Sequence, residues 1–319
     1  MGFTEVKERM EEIQKAVDDC SVLISPSDGR IISDLNIQTG LHGMETYAQS
    51  LKKLSATLKN SMFKVMFMGT FKNGKSTTIN ALIGERLLPV GVTATTAVIS
   101  QVVYGTNTDK VKVFKTDVAE PEEIKIEDFN EKYKLTHEDI TLISQNGSID
   151  RFGDINYVLL ENDCELLRNR VIVIDSPGLE ENISRTKATN QFFPQANAIV
   201  FLLDAQHMFS AKEKEFIQAH FSDVEPKPRN VFFLVNRINQ LNDEDDLAAV
   251  KTQVRTVLAP VFTVDNNLDK NLFDKRLFFV DSYHAYKLKK EKKPLVGGEG
   301  ITEFKRFQEE LETFLTSDD

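Results

Sequence analysis

The chain has 319 residues, 41% of them hydrophobic, which suits one large α/β domain with a smaller satellite. Its formal net charge of -10 makes the surface as a whole repel nucleic acid and anionic lipid, so a general nucleic-acid binder is excluded. Cys20 and Cys164 stand in no metal-ligand spacing, residues 1–18 are charged rather than signal-like, and no window approaches the ~18 apolar residues of a membrane span. A reduced, cytoplasmic protein is expected.

In chain order, the first sixty positions read as two helices. Phe3, Val6, Met10, Ile13 and Val17 recur at steps of three and four, and Met44, Tyr47, Leu51, Leu54 and Leu58 do the same. The stretch 25–40 between them, with Pro26 and Gly29, reads as a connection. From about 61 to 290 strands and helices alternate. Strands are predicted at 63–68, 97–104, 111–114, 157–160, 171–174, 198–203, 231–235 and 277–280. Several are unbroken apolar runs, as expected of strands buried on both faces. Amphipathic segments at 211–221 and 247–258 separate the later ones, which predicts a mainly parallel sheet with helices on both faces. Residues 115–156 read as a charged insertion with a short helix near 136–143. The run from Lys287 to Lys293 reads as a solvated loop edge, and the acidic run 243–246 as the start of a helix. Near the end, Ile301, Phe304, Phe307, Leu311 and Phe314 form a third apolar stripe. The economical cover for all three stripes is a small helical bundle built from both termini, giving neck helices at 1–60 and 291–319 around a domain at 61–290.

The chemistry concentrates after the first strand. Gly69-Thr70-Phe71-Lys72-Asn73-Gly74-Lys75-Ser76 follows an apolar strand and opens a helix, matching GxxxxGK[ST] in the context that motif needs. The glycines let the backbone curl so that successive N–H groups face a phosphate, and the helix beginning near Lys75, Ser76 and Thr77 offers its positive dipole end. Lys75 supplies a point charge to the β- and γ-phosphates, and Ser76 a hydroxyl to Mg²⁺. A second strand delivers Asp175 to the same sheet edge in Asp175-Ser-Pro-Gly178. The carboxylate is a further candidate for Mg²⁺, and Gly178 permits a backbone N–H to approach the γ-phosphate. Between the two motifs, the loop 88–97 is rich in small and hydroxyl residues. Thr96 is its candidate Mg²⁺ ligand, ordering the loop when a γ-phosphate is present.

The segments 69–98, GTFKNGKSTTINALIGERLLPVGVTATTAV, and 171–182, VIVIDSPGLEEN, resemble bacterial dynamin-like proteins, within the dynamin superfamily of large GTPases. The resemblance implies a Mg²⁺-dependent GTP cycle and self-association across the nucleotide face, with itself or a paralogous GTPase. It also implies membrane remodelling through a lipid-binding stalk that would follow residue 319. The chain then reads as the GTPase head of a longer protein, cytoplasmic or peripheral to the inner face of a membrane. Lys75 and Ser76 match the phosphate lysine and Mg²⁺ hydroxyl, Thr96 the switch threonine, and Asp175 and Gly178 the second switch. Lys72 stands where some relatives carry an arginine finger, and a cation there could neutralise charge developing in the transition state.

The base-reading motif departs from that pattern. Asn236-Arg237-Ile238-Asn239 stands where the family usually has Asn/Thr-Lys-x-Asp. An Asp in the fourth position accepts two guanine N–H bonds, whereas Asn239 turns a donor toward one of them, at ~1–3 kcal/mol. Xanthine would suit Asn239 better. Arg237 retains a cation able to stack on the base, and Ser282, after the strand ending at Val280, is the candidate loop for the base oxygen. Two other classes stay open. Asn239 motivates a nucleotide-regulated scaffold with little turnover, and preference for ATP would point to a small-molecule kinase, although no acceptor-substrate motif is present.

Overall fold

The computed structural model describes residues 3–24, 31–32, 37–38, 45–59, 62–70, 72–89, 98–133, 154–179 and 192–316. Two compact units result, 1–62 with 316–319, and 63–315. In the smaller, α1 (Phe3–Ile24) packs along α2 (Glu45–Lys59), and β1 (Ile31–Ile32) pairs antiparallel with β2 (Ile37–Gln38). Their contact uses small residues: Ser21, Ala48 and Ser55 are buried with Val17 and Leu51 half-buried, whereas Ile13, Tyr47 and Leu54 of the expected stripes are exposed.

The larger unit is built on nine strands: β3 (Phe63–Met68), β4 (Ser100–Tyr104), β5 (Lys110–Lys115), β6 (Glu122–Lys125), β7 (Ile155–Asn162), β8 (Val171–Asp175), β9 (Ala198–Asp204), β10 (Val231–Asn236) and, after a small antiparallel pair β11 (Thr263–Val264) and β12 (Asn267–Leu268), β13 (Leu277–Val280). Their order is β13-β10-β9-β3-β8-β4-β7-β5-β6. The five from β13 to β8 are parallel, which is the mainly parallel sheet expected. Antiparallel pairing enters at β4 against β8 and again at β5, which pairs antiparallel with both β7 and β6. The described helices of this unit are α3 (Lys75–Ile83), α4 (Ile126–Lys132), α5 (Glu165–Arg168), α6 (Ala211–Ile217), α7 (Glu244–Leu258), α8 (Lys270–Arg276), α9 (Ser282–Lys290) and α10 (Glu299–Thr316).

The sheet is buried on both faces because its central strands carry unbroken apolar runs such as 198–203 and 231–235. Phe232 and Phe233 are neighbours in β10, so they point to opposite faces, and both are fully buried. Phe233 meets Phe201, Phe221 and Phe262 on one side. Phe232 meets Phe278, Phe307 and Phe314 on the other. The stripe of α10 is therefore covered within this unit, with the Arg276 and Arg306 guanidinium groups stacked at 4.4 Å on Phe232 and 4.1 Å on Phe278.

Two readings of the charged segments change. The insertion holds an edge strand, β6, and the helix α4, whose charged residues form ion pairs such as Lys115–Glu122 and Lys110–Glu123; the helix expected near 136–143 lies outside the described residues. The lysine run is mostly helix α9 rather than loop. Lys289 turns inward and donates to Leu82 O at the end of α3 (3.0 Å), and burial pushes its ammonium down to about 8. The acidic run does start a helix, with Asp243 accepting from Asp246 N at 2.8 Å.

Candidate nucleotide site

Parallel strands end at one edge, and their register sets the site's residues side by side. Phe67 pairs with Asp175, while Asn236 pairs with Asp204 on one side and Val280 on the other. Beyond β3 the chain turns into the glycine-bounded loop. Gly69 has φ +141° and Gly74 φ +91°. A Cβ on Gly69 would lie 2.5 Å from Leu202 O, and one on Gly74 2.3 Å from Asn236 Nδ2. Each position is closed to other residues both by backbone conformation and by contact. Gly74 caps α3, which presents Ser76 and Thr77, both half-buried, in its first turn.

Lys75 is buried, and its ammonium donates to Gly69 O at 3.0 Å and Thr70 O at 2.9 Å, so the charge lies against the loop itself. Ser76 Oγ donates to Asp175 Oδ2 at 2.8 Å. A hydroxyl and a fully buried carboxylate thus converge from two elements, and these hard oxygen donors fit Mg²⁺. The loop after β8 returns to the same place: Gly178 is buried and Leu179 N donates to Gly69 O at 3.3 Å. Thr96 lies outside the described residues.

Asn236 ties the glycine loop to the loop that follows β13. Its Nδ2 donates to Asn73 O at 3.0 Å and its Oδ1 accepts from Ser282 N at 3.1 Å. Ser282 Oγ in turn lies 2.8 Å from Thr78 Oγ1 on α3. Arg237, in the left-handed region, donates to Asp204 Oδ2 at 2.7 Å and to Lys72 O. Lys72 has φ +70° and is exposed at the tip of the loop. Asn239 is exposed in the short helical turn that follows β10. Asp281 caps α9 through His284 N at 3.1 Å and pairs with the His284 ring.

The sequence pattern does not single out three residues that shape this site. Glu213, fully buried, accepts from Thr70 Oγ1 at 2.7 Å and from Asn73 Nδ2 at 2.8 Å. A capping-box signature, Ser210-x-x-Glu213, was its only local signal. Thr78 links α3 to Ser282. Asn80, on the buried side of α3, accepts from Leu87 N and Leu88 N and donates to Leu88 O, which fixes the start of the 88–97 loop.

A protein-family model for the Dynamin family matches residues 65–238, more than half of the chain, and spans this site except for Asn239 and the Ser282 loop. The chain belongs to the Dynamin family. A bacterial dynamin-like protein from Nostoc punctiforme is 27% identical over 98% of this chain and 46% of its own length. The transmembrane GTPase fzo-1 of Caenorhabditis elegans is 27% identical over 84% of this chain and 36% of its own. A solved structure of an oligomerised bacterial dynamin pair superposes with a TM-score of 0.60 at 16% identity, over 96% of this chain and 43% of that one. The chain thus spans less than half the length of these relatives. The dynamin GTPase fold accounts for the nine-stranded sheet and its helices, and the glycine loop, Asp175, Asn236 and Arg237 lie within the matched span. No described helix of this dynamin-family chain is long and apolar enough to cross a membrane.

Proposed function

We propose that this chain binds GTP with Mg²⁺ and hydrolyses it to GDP and phosphate. The observation that carries the reading is Asn236, which joins the phosphate loop at Asn73 to the Ser282 loop, so that one side chain spans the phosphate and base ends of a nucleotide. The backbone of Gly69, Asn73, Gly74, Lys75, Ser76 and Thr77 cradles the phosphates. Ser76 and Asp175, with Thr96, would hold Mg²⁺, which when bound would supply charge neutralisation on the phosphate oxygens. Lys75 moves its ammonium from the loop carbonyls to the phosphates. Lys72 and the Gly178 N–H face charge developing at the γ-phosphate. Water is the nucleophile, and the protein contributes position and charge. Arg237, Asn239 and Ser282 surround the base.

This cycle drives self-association, or pairing with a paralogous GTPase, through the nucleotide face and remodels a membrane. Lipid contact falls to a stalk, and the segments 1–60 and 291–319 serve as its neck. The name of the fzo-1 relative and the description of the dynamin pair, which refers to sensing and tethering of membranes, support that direction. Asn239 supports a second reading, a nucleotide-regulated scaffold with weak or no hydrolysis.

The test is a titration with GTP, ATP and XTP in Mg²⁺, following binding and phosphate release, with Lys75→Ala and Asn239→Asp alongside. GTP binding and turnover that Lys75→Ala abolishes is the expected result. Binding without turnover would transfer the function to the scaffold reading. Recovery of guanine binding only in Asn239→Asp would mean that the altered motif has lost guanine.

A further inference from the structure

We infer that Glu213 is a positioning residue for the phosphate loop, setting the outer turn that a γ-phosphate must meet. This rests on the GTPase reading above. Glu213 is 0% exposed, yet among the described residues none of its bonds goes to a basic side chain. Its Oε1 accepts from Thr70 Oγ1 at 2.7 Å and from Asn73 Nδ2 at 2.8 Å, and its Oε2 accepts from Ser210 N at 2.9 Å. A helix cap needs only the last of these. The other two reach across the fold to the loop, one on each side of Lys72.

The chemistry explains a carboxylate here. Every group that faces Glu213 is a donor, so an acceptor-only side chain satisfies all three. Gln would turn an NH₂ toward one of those donors, and an apolar residue would orphan Asn73 Nδ2 or Thr70 Oγ1 in a buried place. Asn73 Nδ2 is shared with Leu202 O at 2.9 Å, so Glu213 and β9 together hold the side chain, while the Asn73 carbonyl is held by Asn236. Lys72 lies between the two anchored residues, with its own carbonyl held by Arg237. Glu213 thereby fixes the turn that presents Lys72. It leaves untouched the inner part of the loop, Gly74 to Ser76, which begins α3.

A diphosphate engages the inner part, whereas the γ-phosphate also needs the outer turn. Glu213→Gln should therefore weaken a non-hydrolysable GTP analogue at least tenfold while changing GDP affinity less than threefold. It should also lower kcat at least tenfold at saturating GTP, with protein concentration set by GDP-binding sites. A residue that merely supported the fold would change both affinities alike and leave turnover per binding site intact; that result would overturn the inference. If Glu213→Gln does not fold, Thr70→Val, which removes one of the two loop bonds, carries the same comparison, and equal affinities would again overturn it. Wild-type protein that binds GTP but releases no phosphate would refute the hydrolysis reading, and the two affinities would still decide the role of Glu213. Wild-type protein that binds neither nucleotide would overturn both.

Discussion

Replacing Asn236 with Ala tests the claim that one side chain couples the two ends of the site. The change strips Asn73 O and Ser282 N of partners at 3.0 and 3.1 Å. A buried orphaned group costs ~1–3 kcal/mol, so two cost ~2–6 kcal/mol if both stay dry. In the nucleotide-free protein the space left by the amide admits water and both loops can relax, so most of the cost appears when nucleotide closes the site. Taking the low end, ~2 kcal/mol, GDP affinity should fall about thirtyfold. Equilibrium titration with a fluorescent GDP in Mg²⁺ measures it directly. Ser282→Ala is the matched control: it removes only the hydroxyl contact to Thr78, keeps the backbone bond to Asn236, and should cost about threefold. An Asn236→Ala protein that bound GDP within threefold of wild type would refute the coupling, because it would mean the loops hold their places without the bridge.

Gly74→Ala should abolish nucleotide binding while the chain still folds, since its Cβ would stand 2.3 Å from Asn236 Nδ2 at a backbone φ of +91°; titration calorimetry with GDP decides this. Gly300→Ala places a Cβ 2.9 Å from both Cβ and N of Asp281 and 3.2 Å from Ile238, so it should push the Ser282 loop out of place and weaken GDP several-fold, with phosphate release per bound GTP retained. Lys289 gives a pH signature: desolvation lowers its ammonium from 10.5 to about 8, so the unfolded chain holds the extra proton between those values. Stability should therefore rise as pH increases from about 8 to 10.5, by at most about 3 kcal/mol, with the cost fully present below 8. Denaturant unfolding of wild type against Lys289→Met checks it, and an identical pH slope in the two would refute the assignment.

Contiguity decides how much of this was legible in the sequence. The glycine-bounded loop is eight adjacent residues between a strand and a helix, so its place at the end of β3 was legible, as was that of Asp175 at the end of β8. The central strands were equally plain, because burial on both faces leaves unbroken apolar runs such as Val231 to Val235. The edge of the sheet was not. Residues 122–125, Glu-Glu-Ile-Lys, pair on one side only among the described residues and carry the charges of a solvated edge, which conceals a strand. Lys289 was concealed by its lysine neighbours: the composition says solvent, whereas helical periodicity turns one of the run inward. Glu213 shows only a helix-cap signal locally, because its other partners are Thr70 and Asn73, far away along the chain. Such bonds between distant segments have no sequence pattern of their own.

Asn73 is where these contacts meet. Its side chain donates to Glu213 and Leu202 O, and its carbonyl accepts from Asn236, which in turn holds Ser282. Ser282 reaches Thr78 on α3, and Thr78 returns to Gly74 O at 2.9 Å, so the polar contacts close a ring through the loop and the helix it opens. The C-terminal helix α10 touches the same ring from outside, with Gly300 O accepting from Asp281 N at 3.2 Å. These bonds thus link the glycine loop to the Ser282 loop and from there to the first turn of α10. Groups bonded in one network respond together, so paired substitutions within it should deviate from additivity, whereas each should add with Lys289→Met, which lies outside the ring. Double-mutant cycles on GDP affinity, Asn236→Ala with Gly300→Ala against Asn236→Ala with Lys289→Met, distinguish a connected ring from separate local contacts. Coupling well above ~0.5 kcal/mol in the first cycle and none in the second is the expected outcome, and additivity in both would mean that the contacts act alone.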